Sequence, residues 1–170
     1  MNIKKIVYST ALIFAFGASS LTFAADKIDA DDFVDEVSAK GIAEVESAKL
    51  ALEKSTSTDI KAFARKMITD HSATNVELAG IASRKKLDIA DDAELGAKAK
   101  EFILKHRDGE SFDEAYANNQ VEAHKDTIEL FQRAAVSDDA DIAAFAKKTL
   151  PTLEHHLKQA KELAAAHDDK

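Results

Sequence analysis

The chain has 170 residues, no cysteine, one proline and a formal net charge of −8 at pH 7. The lack of cysteine excludes disulfides, thiolate metal ligands and thiol catalysis. The acidic balance argues against nucleic acid and anionic membrane surfaces as partners, because both attract basic patches.

Residues 1–24 form a predicted signal peptide. A short basic start and a mostly apolar run from Ile6 to Phe16 precede small residues that lead to Ala24. This order, with cleavage after Ala24, is typical of secretion, and the apolar run is too short for a membrane-spanning helix. We therefore expect a periplasmic protein whose mature part, residues 25–170, is a single domain without stable membrane insertion.

The mature part predicts four long helices, because it is rich in Ala, Leu, Lys and Glu and its apolar residues recur every three or four positions. Short turns separate the first helix from the second and the third from the fourth. A longer connector with a short helix at about Asp91–His106 joins the second to the third. Pro151 is expected to kink or divide the last helix. The predicted long helices cover about residues 31–54, 59–86, 112–136 and 140–166.

An internal repeat indicates how these helices are arranged. Residues 59–66 and 141–148 are identical at six of eight positions, and each copy opens the second helix of a pair. Two helical hairpins joined by a long crossover are the arrangement of ferritin-like proteins. We therefore predict an all-α, ferritin-like antiparallel four-helix bundle with a short extra helix in the crossover.

A polar residue interrupts the apolar stripe of each predicted long helix, and the four positions lie at comparable heights along the bundle. Burying such groups is costly unless they are hydrogen-bonded or bound to something. Neutral imidazole and carboxylate suit zinc, copper, iron and nickel, so these residues predict one transition-metal site. The four candidate ligands are Glu44, His71, His124 and His156.

Metal-binding histidines usually need hydrogen-bonding neighbours that fix the orientation of the ring. Five polar residues near the candidate ligands in the sequence are suited to this supporting role. They are Asp70, Asn75, Gln120, Glu154 and His155.

The same pattern is open to a second interpretation. Three inward histidines can form a hydrogen-bonded polar layer that sets helix register in a non-enzymatic structural or interaction module. A metal-dependent oxidoreductase is a third alternative, and it needs an open coordination position. The sequence carries no phosphate loop, nucleophile elbow or triad spacing, so it favours no reaction. A homo-oligomer and an envelope protein partner both remain open.

Several short motifs along the mature part form a recognisable set. They are Phe33, residues 42–45, residues 63–71 with Asn75, residues 112–116 with Gln120, Val121 and His124, and residues 150–157. This set resembles a secreted bacterial ferritin-like family, the domain of unknown function four-one-four-two, whose members are often labelled predicted outer-membrane proteins. The resemblance covers nearly the whole mature part, and the family's motif histidines fall on His71, His124 and His156. It implies a ferritin-like bundle and supplies no established reaction.

One departure limits the comparison with ferritins. Di-iron ferritin-like proteins carry a Glu-x-x-His motif on each of two helices. This chain contains no Glu-x-x-His. We therefore expect neither a ferroxidase centre nor an oxygen-activating di-iron centre.

Overall fold

Four long helices make up most of the described chain. The structure, a computed structural model, describes residues 27–90, Lys98 and residues 108–168. The predicted signal peptide lies outside the described residues, and so does the predicted connector helix except for Lys98. The predicted bounds of the long helices differ from the observed ones by at most two residues. The helices are α1 (Ala30–Lys54), α2 (Thr58–Lys85), α3 (Glu110–Ala134) and α4 (Ala140–Ala166).

The helices form two antiparallel hairpins that pack against each other. α1 packs mainly on α2 and α3 mainly on α4, with smaller contacts between α1 and α3 and between α2 and α4. Lys54 ends α1, and its Nζ lies 2.9 Å from Oδ1 of Asp108, just before α3. Lys85 ends α2, and its Nζ lies 2.7 Å from Oδ2 of Asp139, just before α4. The crossover from α2 to α3 therefore starts and finishes at opposite ends of the bundle. This confirms the predicted all-α fold of two hairpins.

Pro151 lies inside α4 without dividing it. Asp139 caps the N-terminus of α4, because its carboxylate accepts hydrogen bonds from the backbone N–H groups of Asp141 and Ile142 at 3.0 and 3.2 Å. The helix then continues through Pro151 to Ala166. Pro151 is exposed, so the carbonyl that loses its partner faces water, where the loss costs least. The predicted division of this helix was wrong.

Two hydrophobic clusters fill the bundle, and a polar layer separates them. Phe33, Phe131 and Phe145 centre the first cluster, with ring centroids 5.2 to 6.2 Å apart. Phe63 and Phe112 lie in the second, each near the Tyr116 ring, at 6.3 and 6.1 Å. On every helix one predicted polar residue falls between its contributions to the two clusters. These residues are Glu44, His71, His124 and His156.

Gly41 of α1 is the residue against which the Asn75 side chain of α2 packs. A Cβ atom at this position would lie 2.9 Å from Asn75 Cγ and closer still to Asn75 Oδ1. Non-bonded contacts of a Cβ atom are essentially never this short, so any larger residue at position 41 must displace the Asn75 amide. A glycine inside a helix costs up to about 1 kcal/mol relative to alanine, and close approach is the physical reason to keep one here.

We expect Gly41→Ala to destabilise the protein by about 1 kcal/mol, because the lost Asn75 packing outweighs the gain in helix propensity. Gly80→Ala is the matched control, since its Cβ would meet only Arg84, at 3.7 Å. That variant should be more stable than the wild type by about 0.5–1 kcal/mol. Urea unfolding of both variants measures the difference. Equal stabilisation by the two substitutions would contradict the contact between Asn75 and α1.

Candidate metal centre

Three buried histidines from three helices meet in the polar layer. His71 on α2, His124 on α3 and His156 on α4 are 6%, 1% and 1% exposed. Their ring centroids are 5.4 to 5.6 Å apart. One nitrogen from each lies within 4.8 Å of the others, so the three are close enough together to hold a metal ion. The structure thus brings together the three histidines that periodicity selected.

The ring of His124 is oriented by its own helix. Its Nδ1 lies 2.9 Å from the backbone carbonyl oxygen of Gln120, one turn earlier. A carbonyl oxygen can only accept a hydrogen bond, so Nδ1 carries the proton and donates it. The lone pair is therefore on Nε2, which is buried and has no hydrogen-bond partner among the described residues.

The ring of His156 is oriented by a carboxylate on another helix. Its Nε2 lies 2.8 Å from Asp70 Oδ2, and Lys66 Nζ donates to the same oxygen at 2.7 Å. Burial acts to raise the pKa of Asp70, but the hydrogen bonds from Lys66 and His156 bring it below its usual value. The ionised carboxylate accepts the Nε2 proton, so the lone pair of His156 is on Nδ1. That atom is buried and unpartnered within the described part of the chain.

Both His71 and His156 are neutral at pH 7. Burial lowers the pKa of His71 to about 3, and repulsion from His124 and His156 acts in the same direction. Burial lowers the pKa of His156 to about 4, against the hydrogen bond to Asp70, which raises it. Neutral imidazole is the form that binds a metal, so neither ring has to release a proton before binding.

Glu44 lies beside the three histidines but outside the group of close nitrogens. Its side chain is 7% exposed, and its Oε2 has no hydrogen-bond partner among the described residues. Burial raises the pKa of Glu44, while His124, Gln120 and Lys40 partly offset this. The Glu44 carboxyl group is therefore close enough to His124 for an electrostatic interaction, and it lies on the α1 side of the site.

The five predicted supporting residues take different places. Asp70 accepts a hydrogen bond from His156, and Gln120 orients His124 through its backbone carbonyl rather than its side chain. Asn75 packs against α1 near His71. Glu154 and His155 are exposed on α4, because one residue along a helix turns the side chain by about 100° away from His156.

Two residues of the site were not predicted from the sequence. Lys66 completes the chain to Asp70 and His156, and its spacing of four residues from Asp70 was the available signal. Tyr116 is fully buried with an unpartnered hydroxyl among the described groups. Burial and the nearby Glu44 raise its pKa well above 10. Tyr116 lies one turn before Gln120 on the same stripe of α3, and this spacing was the signal that the sequence offered.

Comparison with known proteins gives a family and no function. No curated protein and no solved structure matches the chain. A family model described as a domain of unknown function matches residues 18–163, which include the three histidines, the first three helices and all but the last three residues of α4. The chain belongs to this family, Domain of unknown function (DUF4142).

Proposed function

We propose that this protein is a periplasmic ferritin-like protein that binds one transition-metal ion through His71, His124 and His156. The observation that carries the proposal is the group of three buried nitrogens within 4.8 Å of one another. Nitrogens that share a tetrahedral zinc ion at about 2.0–2.1 Å lie roughly 3.4 Å apart, so the three rings would draw closer together around the bound ion. Metal handling and the envelope stress response are the roles that suit such a protein.

The unpartnered nitrogens favour a metal over a structural polar layer. In a hydrogen-bonded layer each buried ring nitrogen would have a partner, since an unmade bond costs about 1–3 kcal/mol. Here one nitrogen of each histidine has none among the described residues. On His124 and His156 the other nitrogen is held by an acceptor, which is the usual arrangement of metal-binding histidines.

Zinc, copper, iron and nickel are the candidate ions, because all four accept imidazole ligands and the chain supplies no thiolate. Three histidines leave at least one position for another ligand. Glu44, which the sequence suggested as a fourth ligand, is buried beside His71 on the α1 side of the site. With no Glu-x-x-His in the chain, a single ion fits better than a di-iron centre.

The proposed location depends on the sequence of residues 1–24. Their basic start, apolar run and small residues before Ala24 are those of a cleaved signal peptide. Among the described residues, no helix is both long and apolar enough to cross a bilayer. Fractionation of cells that express the full chain, with N-terminal sequencing of the periplasmic product, tests both the location and the cleavage site.

The test of the metal site is metal content after incubation with one equivalent of each candidate ion, followed by gel filtration. We expect one ion per wild-type chain and a loss of at least tenfold in affinity for His71→Ala. His155→Ala is the matched control, because His155 is exposed beside His156 and should not contribute. Equal metal content in all three proteins would place binding on the surface, and no stoichiometric metal in the wild type would overturn the proposal.

A further inference from the structure

A small cavity adjoins the candidate metal centre on the α1 side. It lies against His71 of α2 and Glu44 of α1, and its volume is about 10 Å³. A cavity needs roughly 10–15 Å³ of this kind of space to hold one water molecule. The space next to His71 is therefore the size of a single water and of nothing larger.

Three buried atoms without hydrogen-bond partners belong to residues that line this cavity. They are His71 Nε2, Glu44 Oε2 and Asn75 Oδ1. A buried water typically makes two to four hydrogen bonds to groups that otherwise have none. His71 and Glu44 are 6% and 7% exposed, so bulk solvent does not satisfy them.

The helices form this cavity through specific residues. Gly41 allows the Asn75 amide to lie against the backbone of α1, where a side chain would exclude it. Val37, Phe131 and Leu153 contribute apolar surface to the lining of the cavity. The small volume and the mixed polar and apolar lining restrict the occupant to a water-sized molecule.

We propose that this cavity holds an exchangeable, water-sized oxygen ligand of the metal ion, water or hydroxide, between His71 and Glu44. The inference rests on the proposed function, because it assigns the position that the three histidines leave open. The Glu44 carboxylate accepts a hydrogen bond from this ligand and Asn75 Oδ1 is in place to accept a second. Glu44 thus acts on the metal through the small ligand rather than by direct coordination.

The test uses the full-length mature protein with one equivalent of copper(II) in oxygen-17-enriched water. Electron-nuclear double resonance should show a strongly coupled oxygen in the wild type. Thr127 lines the cavity, and Thr127→Leu should fill it, so that the coupling is lost while one copper per chain is retained. Thr127→Val is the matched control, because valine has the shape of threonine and leaves the space open.

A second variant guards against a folding defect in Thr127→Leu. Val37 lines the same cavity from α1, and Val37→Ile adds a single methylene there, so it should also weaken the oxygen coupling. Copper bound in the wild type without oxygen coupling would overturn the inference and leave the proposed function intact. So would a coupling that is unchanged in both filled variants. Failure of the wild type to bind copper or any other candidate ion would overturn both.

Discussion

The metal-free protein is expected to lose roughly 3 kcal/mol of its free energy of unfolding between pH 7 and pH 5. The unfolded chain protonates histidine near pH 6.5, whereas folded His71 and His156 bind protons only near pH 3 and 4. Below pH 6.5 the unfolded state therefore binds more protons, and stability falls as the pH falls. The raised pKa of Glu44 acts in the opposite direction and offsets part of the loss.

Urea unfolding at several pH values, with a chelator present, measures this effect. His71→Leu should remove about half of the pH dependence, because leucine fills the same space and does not titrate. His155→Ala should leave the profile unchanged, since His155 is exposed. A wild-type profile as flat as that of His71→Leu would show that the buried histidines do not resist protonation.

Metal binding is expected to stabilise the folded protein by about 4 kcal/mol when the free ion is at a thousand times its dissociation constant. For a chain of this size such a gain raises the melting temperature by roughly 8–16 °C. The rise follows because the three histidines come together only in the folded bundle, so the unfolded chain lacks the site.

His124→Ala should abolish this rise. His124 is 1% exposed, and its Nε2 is free because Gln120 holds Nδ1. Thermal unfolding with and without each candidate ion, at pH 7.5, makes the comparison. A rise of the same size in His124→Ala would assign the stabilising ion to another place on the protein.

The histidine positions followed from the sequence because helical periodicity decides which residues share a face. The spacing of His71, His124 and His156 within their own helices placed all three inward. Short turns then set the helices in antiparallel pairs at known heights. Periodicity and turn length can both be read from short stretches of sequence. The three rings meet at the middle of the bundle, as the periodicity predicted.

The details that depend on contact between helices were harder to predict. The contact of Gly41 with Asn75 requires the register between α1 and α2, which no local pattern reports. Gln120 was predicted to support the site, yet its backbone carbonyl bonds His124 instead of its amide. Pro151 suggested a break in α4, but it lies on the exposed side, where the helix tolerates it.

The bundle tolerates a polar layer in its core because the layer lies between two hydrophobic clusters. Each histidine lies between two hydrophobic clusters, so apolar surface is buried on both sides of the layer and holds the helices together. The site is therefore built on rigid helices rather than on loops. This arrangement favours fixed ligand geometry over stability at the centre of the core.

A crystal structure of the metal-loaded protein, with anomalous scattering recorded at the absorption edge of the bound ion, is the decisive test of whether the three histidines bind a metal. We expect one anomalous peak inside the bundle, within about 2.0–2.2 Å of a nitrogen from each of His71, His124 and His156. Peaks only at exposed residues such as His155, with none between the three buried rings, would contradict it.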